Sequence, residues 1–248
     1  MAAHLVVFDA MNLIRRIYAV HENQGDAIER VQSQTERMMF TILNQLSATH
    51  TVAVFDGDTP GWRHQLWPQY KVSRSPLPEQ LSSNLALIQD TWWAAGIDSV
   101  LPDNDEADDV IATLAVKSEA HGVAVTIVST DQGFCQILSD NVHQYDGFNK
   151  KFLSRDNYLQ KFGINTQCWT QYKALTGESG SDIPGISGFG PKTAKDFVNS
   201  QFDESTLAPA KLKSWQEEKE NFQLFEQLMT LECHRLLDFK LSALRRKE

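Results

Sequence analysis

Aspartate follows three short, β-rich apolar runs of this sequence, and each run has the composition of a buried strand. These aspartates are Asp9, Asp56 and Asp131. In an open parallel sheet, ligands bind beyond the carboxyl ends of the strands, so the three acids are expected to converge in space. A single aspartate at such a place is usually a helix N-cap or a turn residue, and that interpretation stays open for each one alone. Three in one chain favour a shared site.

A second group of acids opens a predicted helix, where Glu106, Asp108 and Asp109 precede the apolar run Val110–Leu114. Acids also favour the positive end of a helix without any ligand, which explains this group equally well when it is taken alone. Together with the strand-end aspartates, the group predicts an oxygen-ligand cage for Mg²⁺ or Mn²⁺. Because no Cys or His cluster lies nearby, zinc is disfavoured. Such a cage is suited to metal-assisted hydrolysis of a phosphate ester.

Basic and aromatic side chains alternate in the segment after Asp56. They are Trp62, Arg63, His64, Trp67, Tyr70, Lys71 and Arg74. This pattern is typical of segments that hold backbone phosphates and stack on unpaired bases. The alternative is a solvated loop whose tryptophans pack on the core.

A glycine-rich turn, Gly185–Gly190, precedes a predicted helix start at Pro191, Lys192 and Thr193. Its glycines allow the backbone to approach a ligand closely, and the first N–H groups of the helix can bind a phosphate. A tight corner between two helices that binds no ligand would have the same sequence pattern.

The elements that must position these residues form an α/β pattern in the first part of the chain and a helical pattern afterwards. The predicted strands are Leu5–Phe8, Thr51–Phe55, Val123–Val128 and Val142–Tyr145. The predicted helices are Val31–Leu46, Pro78–Ala95, Ala107–His121, Trp169–Leu175, Lys192–Asn199 and Ala210–Leu228. We therefore expect an α/β core with a mostly parallel central sheet flanked by helices over residues 1–160, and a helical region over residues 161–248.

The composition is that of an ordinary globular protein with an acidic balance, 248 residues with a net charge of −9. No apolar stretch reaches the length of a membrane span, and Met1–His4 has no signal-peptide features, so a cytoplasmic protein without a membrane is expected. Three widely spaced cysteines indicate reduced thiols. The acidity argues against a nucleic-acid partner unless bound cations reverse the sign of the charge where a phosphate lies.

Taken in order, these motifs resemble those of the structure-specific 5′ nucleases, or flap endonucleases, which include the N-terminal 5′-3′ exonuclease domain of DNA polymerase I. The resemblance runs nearly from end to end, and in length the chain is similar to the short stand-alone bacterial members. The matching motifs are Asp9 with Arg16; Asp56, Arg63, Tyr70-Lys71, Arg74 and Pro76-Leu77-Pro78-Glu79; Glu106-Ala107-Asp108-Asp109; Ser129-Thr130-Asp131; and Leu175–Ala194, which is similar to the family's helix–three-turn–helix.

The resemblance implies a sheet-based nuclease core, a helical arch over about residues 60–95, a DNA-binding helix–three-turn–helix, and release of 5′ flaps from branched DNA. The implied ligands of Mg²⁺, with Mn²⁺ as an alternative, are Asp9, Asp56, Glu106, Asp108, Asp109 and Asp131. The implied catalytic residues are Lys71, Arg63 and Asp108. The implied DNA contacts are Arg16, Arg74, Tyr70, Gly188, Phe189, Gly190, Pro191, Lys192 and Thr193. A potassium ion is implied at the carbonyls of Leu175, Thr176, Pro184, Ile186 and Phe189.

Three departures from the family pattern fall on acids that would hold a second metal ion. Gly133 stands where the family has a second aspartate after Asp131, and Glu178 replaces the aspartate of Thr-Gly-Asp. Ser181 occupies the place of another aspartate, and Asp182 comes one position later. Water and substrate phosphate can fill coordination positions of Mg²⁺. The departures therefore leave two outcomes open, an enzyme with one tightly bound ion or a protein that binds flaps with little or no cleavage.

Three functions are thus weighed, with a Mg²⁺-dependent 5′ flap endonuclease as the leading hypothesis. The second is a flap- or junction-binding protein of feeble activity. The third is a ribonuclease of the PIN type, which shares the strand-end acids but does not need the helix–three-turn–helix segment. A monomer is the default expectation.

Overall fold

The computed structural model describes residues 2–57 and 59–246. Six strands form one sheet in the order β3-β2-β1-β4-β5-β6. Their bounds are β1 His4–Asp9, β2 His50–Val54, β3 Ser99–Val100, β4 Ala124–Val128, β5 Val142–Asp146 and β6 Lys151–Leu153. All neighbouring pairs run parallel except β5 and β6. The expected α/β class with a mostly parallel sheet is confirmed.

Helices follow most of the strands and are the main regular elements of the second half of the chain. Their bounds are α1 Ala10–His21, α2 Ala27–Gln45, α3 Trp62–Leu66, α4 Glu79–Ser82, α5 Leu85–Ala94, α6 Ala107–Ala120, α7 Arg155–Phe162, α8 Trp169–Thr176, α9 Pro191–Asn199, α10 Pro209–Glu217 and α11 Lys219–Met229. In the part of the chain that is described, no helix has the length and apolar character needed to cross a membrane.

The chain divides into two compact units. The first comprises Met1–Thr59, Pro76–Leu153 and Glu232–Glu248, and the second comprises Pro60–Ser75 and Ser154–Leu231. The main division falls between Leu153 and Ser154, whereas the sequence predicts it at about residue 160. In addition, the segment after β2 joins the helical unit, and the C-terminal segment returns to the sheet unit.

The first unit is built around apolar side chains of its parallel strands. Val6 and Phe8 of β1 are fully buried in a core with residues of α1, α2 and α5, while α6 packs against β1 and β4. Strands that are covered on both faces need nearly continuous apolar runs, which explains why these strands could be predicted from the sequence.

The C-terminal segment of the first unit is attached to α6 by hydrogen bonds. The N–H of Glu232 donates to Asp109 Oδ1 at 2.9 Å, and the N–H of Arg235 donates to Thr113 Oγ1 at 3.2 Å. Further along α6, Lys117 Nζ donates to the carbonyl of Arg235 at 2.6 Å. This segment therefore stabilises the helix that carries the second group of acids.

The second unit has an aromatic core. Phe197 lies 5.1 Å from Phe202 and 5.1 Å from Trp215 between ring centroids, and Phe222 lies 5.1 Å from Trp215. Phe189, from the glycine-rich turn, joins them at 5.5 Å from Phe197. Aromatic pairs at such spacings contribute about 0.5–1.5 kcal/mol each beyond their buried area. The rings thus tie the turn to α9 and α10.

Candidate active site

The sheet order brings Asp9, Asp56 and Asp131 to one edge. Strand β1 lies between β2 and β4, and all three strands run parallel, so their carboxyl ends coincide. Asp9 is the last residue of β1 and pairs with Val54 of β2, two residues before Asp56. The order reverses between β1 and β4, which is the point of a parallel sheet where ligands bind.

Asp9 is almost fully buried, with 6% of its surface exposed. Its Oδ2 accepts from Ser129 Oγ at 2.7 Å, and its Oδ1 accepts from the N–H of Asn12 at 3.1 Å. The pKa of Asp9 is raised to about 7, mainly by burial and also by the charges of Asp56 and Asp131, while the two hydrogen bonds oppose the rise. The strand-end acids therefore interact electrostatically, which a cation between them would relieve.

Polar residues hold these acids in place, and two of them, Gln144 and Asn12, are not among the residues predicted from the sequence. Ser129 Oγ, which donates to Asp9, accepts from the N–H of Asp131 at 3.0 Å. Gln144 of β5 is fully buried and donates to the carbonyls of Ser129 and Asp131 at 3.0 and 2.6 Å. Asn12 accepts from the N–H of Thr130 at 3.2 Å. A buried glutamine in a strand was the available signal in the sequence, because such a group requires partners.

The acids at the start of α6 have different environments. Glu106 is the N-cap residue, and Glu106 and Asp108 are both partly exposed. Asp109 is fully buried, and its Oδ1 accepts from the N–H of Glu232. In this structure Asp109 therefore anchors the C-terminal segment, and any role as a metal ligand is shared with that contact.

The donor set of the first unit fits a hydrated magnesium ion. It consists of carboxylate oxygens, one of them buried beside two other negative charges. Across residues 2–57 and 59–246, no three Asp, Glu, His or Cys side chains lie close enough to form a ready-made chelating group. Mg²⁺ keeps several waters and binds through one or two carboxylates together with substrate phosphates, so it does not need such a group.

Arg16 lies beside the strand ends, within the first unit. Its Nη1 donates to Thr130 Oγ1 at 2.8 Å, and its guanidinium lies over the ring of Phe148 at 4.5 Å. Asp146 ends β5 as Asp9 ends β1, but it accepts from the N–H groups of Phe148 and Asn149 at 3.0 and 2.9 Å. Burial alone would raise the pKa of Asp146, but its hydrogen bonds from Asn149 hold it below the ordinary value. Asp146 is a turn residue.

Arg63 lies inside the second unit. Only 3% of it is exposed, and it donates to the carbonyls of Leu228 and Thr230 at 2.8 Å each. Its guanidinium also lies 4.4 Å from the ring centroid of Trp62. Contact between Arg63 and a phosphate would require these bonds to break, so the structure gives this side chain a structural role in the conformation described.

The residues that follow Arg63 differ in exposure. Tyr70 is 4% exposed and packs edge-on against His64 at 5.3 Å, so its ring is a packing group and cannot stack on a base without moving. Lys71 is partly exposed, with Nζ 4.9 Å from the Tyr70 ring centroid. Arg74 is exposed. Lys71 and Arg74 are therefore more accessible than Arg63.

The backbone of the glycine-rich hairpin is very closely packed. Gly185 has φ +75°, and a Cβ there would lie 2.5 Å from the nitrogen of Gly177 and 2.6 Å from the carbonyl oxygen of Leu175. That carbonyl accepts from the N–H of Ile186 at 2.9 Å. Two of the five carbonyls expected to bind potassium, those of Leu175 and Ile186, are thus on adjoining turns of this hairpin, and each already accepts one backbone hydrogen bond.

Helix α9 begins directly after the hairpin. Its N-cap is Gly190, which provides no side-chain cap, and Pro191 occupies the first turn. Phe189 is 3% exposed, so only its backbone is placed to contact a ligand. Lys211 Nζ donates to Thr193 Oγ1 at 2.5 Å and brings a positive charge to this helix start. Sequence spacing gave no signal for Lys211, because it lies on a different helix.

The positions that depart from the family pattern, Gly133, Glu178 and Ser181, have protein partners or tight surroundings, and so has Asp182 beside them. The carbonyl of Ser181 accepts from the N–H of Lys71 at 3.2 Å. Gly133 donates its N–H to Asp131 Oδ1 at 2.6 Å, and a Cβ there would lie 3.0 Å from that oxygen. Glu178 Oε2 pairs with Lys173 Nζ at 2.6 Å. Asp182 accepts from the N–H and the hydroxyl of Ser73 at 2.7 and 2.5 Å. These groups are engaged within their own units.

Comparison with known proteins gives concordant results. The family described as 5'-3' exonuclease, N-terminal resolvase-like domain, matches residues 4–163. Flap endonuclease Xni of Vibrio parahaemolyticus is 41% identical over 254 residues, covering 99% of this chain and 97% of that protein. Flap endonuclease Xni of Vibrio vulnificus is 46% identical over 206 residues, covering 82% of this chain and 79% of that protein.

Solved structures share the fold. A structure of T5 5'-exonuclease with bound zinc ions has a TM-score of 0.79 at 18% identity, covering 92% of this chain and 90% of that one. Flap endonuclease-1 from Methanococcus jannaschii has a TM-score of 0.56 at 15% identity, covering 93% and 79%. The match over residues 4–163 and the relatives that cover nearly the whole chain show that this protein belongs to the 5'-3' exonuclease family.

Proposed function

We propose that this protein is a Mg²⁺-dependent nuclease that cleaves 5′ flaps of branched DNA near the junction of single strand and duplex. The observation that carries the proposal is the meeting of Asp9, Asp56 and Asp131 at the carboxyl ends of neighbouring parallel strands. Relatives that are 41–46% identical carry the name flap endonuclease, which supports the same activity.

The first unit supplies the ligands for the metal in this proposal. Asp9, Asp56, Asp108 and Asp131 are the main candidates, with Glu106 orienting a bound water. When bound, a divalent ion lowers the pKa of its water and polarises the phosphoryl oxygens. The ligand set contains only oxygen, which supports Mg²⁺, with Mn²⁺ as an alternative. Asp109 holds the start of α6 in place, because its carboxylate accepts from the N–H of Glu232.

The side chains of this chain then have defined tasks on the phosphate. Lys71 stabilises the charge that develops on the phosphoryl oxygens, and Arg74 and Arg16 bind flanking phosphates. Ser129 keeps Asp9 oriented, because its hydroxyl donates to that carboxylate. Arg63 acts on Lys71 indirectly, because its bonds to Leu228 and Thr230 hold α3 against the end of α11.

Duplex binding is assigned to the hairpin and the start of α9. The N–H groups of Lys192 and Thr193 lie at an uncapped helix start, where a phosphate is favoured by the helix dipole. The carbonyls of Leu175, Thr176, Pro184, Ile186 and Phe189 are the proposed potassium ligands. An ion there would add affinity that does not depend on the DNA sequence.

Cleavage of a labelled 5′-flap duplex by the Asp108→Asn variant is the direct test. We expect a loss of more than about 100-fold in rate, because a ligand of the metal is removed. Asp140→Asn is the matched control, because Asp140 is exposed and precedes β5 at the opposite edge of the sheet. The proposal fails if Asp108→Asn cuts as fast as the control, and a matched RNA flap shows whether DNA is preferred.

Flap binding without cleavage is a second candidate, and one observation favours it. Two of the acids nearest the second-metal positions, Glu178 and Asp182, are already paired with Lys173 and Ser73. A protein of this kind would bind a flap in EDTA with potassium present and would leave it intact with Mg²⁺ and with Mn²⁺. Product formed with either ion would exclude this candidate.

A further inference from the structure

The loop that follows α3 holds Lys71 in an unfavourable backbone conformation. Lys71 has φ +56°, in the left-handed region. For a residue with a side chain this conformation costs about 1–2 kcal/mol. Bonds within the loop are local, such as Tyr70 N–H to Trp67 O at 2.8 Å and Arg74 N–H to Lys71 O at 3.2 Å. Contacts from outside the loop also hold this conformation.

The turn at Ser181 and Asp182, which lies in the same unit, supplies such contacts. The N–H of Lys71 donates to the carbonyl of Ser181 at 3.2 Å, and Trp67 Nε1 donates to the carbonyl of Asp182 at 3.2 Å. The carboxylate of Asp182 takes both donors of Ser73, with Oδ2 at 2.7 Å from the N–H and Oδ1 at 2.5 Å from the hydroxyl. Bonds therefore fall on both sides of Lys71.

We propose that Asp182 is a positioning residue that acts through Ser73 to hold Lys71 in its left-handed turn. This inference rests on the proposed function, in which Lys71 meets the phosphate. Asp182 is one position away from the place where the family pattern has an acid, and here both of its oxygens bind Ser73. The hydrogen bonds from Ser73 also hold the pKa of Asp182 below its ordinary value, because they favour the ionised form that accepts them.

We call the two hydrogen bonds from Ser73 to Asp182 the Asp182–Ser73 clasp. Two variants test it, and each removes part of it. In Asp182→Asn the side chain keeps its size, and asparagine also tolerates the φ of +54° at this position, but one accepting oxygen is lost. Ser73→Ala removes only the hydroxyl donor, and Ser73→Thr keeps it. We expect kcat for flap cleavage to fall about tenfold in Asp182→Asn and less in Ser73→Ala, with KM unchanged and full activity in Ser73→Thr.

Asp203→Asn is the matched control. Asp203 is exposed, and its carboxylate also accepts from a serine, the N–H of Ser205 at 3.0 Å. As for Asp182, the hydrogen bonds from the serine lower the pKa of Asp203. Asp203 has no contact with the Lys71 loop among the described hydrogen bonds and ion pairs. We expect Asp203→Asn to cleave flaps at the wild-type rate.

A double variant separates positioning from general stability. In a Lys71→Met background, Asp182→Asn should cause no further loss, because the group it positions is gone. An additive loss would overturn the proposal. A higher Mg²⁺ concentration for half-maximal rate in Asp182→Asn would overturn it too, because that result would make Asp182 a metal ligand.

Amide hydrogen exchange tests the clasp without any activity. The amides of Lys71 and Ser73 should exchange at least about tenfold faster in Asp182→Asn than in wild type, and equally slowly in Asp203→Asn. If wild type cuts no flap with Mg²⁺ or Mn²⁺, the proposed function fails, while exchange still decides whether the clasp exists. Unchanged exchange at both amides would overturn the clasp whatever the activity.

Discussion

Ser129 joins two of the strand-end aspartates through one hydroxyl group. It donates to Asp9 and accepts from the N–H of Asp131, while buried Gln144 holds the backbone on either side. Asp9 is therefore oriented before any ion arrives, although its burial opposes its negative charge. These hydrogen bonds hold the carboxylate of Asp9 in an environment that disfavours its charge, and a bound cation would stabilise the ionised form.

The raised pKa of Asp9 predicts that Mg²⁺ stabilises the protein more at pH 8 than at pH 6. Its pKa is about 7 in the folded protein and 3.8 ordinarily, so the stability it contributes is complete below pH 3.8 and is lost as the pH rises through 7. At pH 6 a proton neutralises Asp9 and competes with Mg²⁺, whereas at pH 8 Mg²⁺ meets the ionised group.

Thermal melts with and without Mg²⁺ at the two pH values measure this difference. We expect a larger rise of Tm on adding Mg²⁺ at pH 8 than at pH 6. In Asp9→Asn, which cannot ionise, the rise should be small and similar at both pH values. An equal rise at both values in wild type would show that Asp9 does not take up the ion.

Single residues also show where prediction from sequence stops. Asp9, Asp56 and Asp131 could be predicted because apolar runs mark the strands, and parallel strands end at a common edge. Asp146 also ends a strand, yet its carboxylate binds the turn that leads into antiparallel β6. Arg63 has the charge for a phosphate, but its long side chain donates to two carbonyls that are distant in sequence.

At the scale of elements, the buried strands were predicted, but helices α1 and α7 were missed and two predicted helices are interrupted. The predicted helix Pro78–Ala95 is divided into α4 and α5, and the predicted helix Ala210–Leu228 is divided into α10 and α11. Neither break has a glycine or proline, so the sequence has no strong stop signal there. The strands β3 and β6, of two and three residues, were missed because they are too short for any periodicity.

The hairpin from α8 to α9 makes a prediction at this scale. Gly185→Ala should lower the free energy of unfolding by about 2 kcal/mol or more, because its φ of +75° disfavours a side chain and the new Cβ would contact backbone at 2.5 Å. The closed hairpin carries the start of α9, so binding of duplex DNA should weaken as well.

Gly180→Ala is the control for this hairpin. A Cβ at Gly180 would have Glu178 Oε1 at 3.8 Å as its nearest neighbour, which is an ordinary contact. Urea unfolding and duplex binding measure the two effects, and Gly180→Ala should leave both unchanged. If Gly185→Ala were as stable as Gly180→Ala, the hairpin backbone could not be as closely packed as described.

At the scale of the whole molecule, the chain does not divide into two successive blocks. Residues 60–75 belong with the helical unit, and the segment from Glu232 returns to the sheet unit. Sequence periodicity shows which residues form helices and strands, but not which unit a connecting segment joins. The hydrogen bonds between α6 and the C-terminal segment depend on contacts between residues more than 100 positions apart.

The net charge of −9 makes the last prediction, because such a protein should repel DNA wherever its acids are not neutralised. Ca²⁺ also prefers oxygen ligands and accepts flexible geometry, so it can occupy the carboxylate site. At constant ionic strength, adding Ca²⁺ in place of EDTA should tighten flap binding by at least about tenfold, because the cation reverses the local charge.

Two double variants of equal net charge distinguish Ca²⁺ binding at the strand-end carboxylates from a general reduction of the repulsion between protein and DNA. Asp9→Asn with Asp56→Asn and Asp140→Asn with Asp203→Asn each remove two negative charges, which changes the net charge from −9 to −7. If the cation acts at the strand ends, the first pair loses the gain in affinity from Ca²⁺ measured by fluorescence anisotropy, and the second pair keeps it. An equal gain in both pairs would mean that Ca²⁺ acts on the DNA alone, and the carboxylate edge would then have no part in binding.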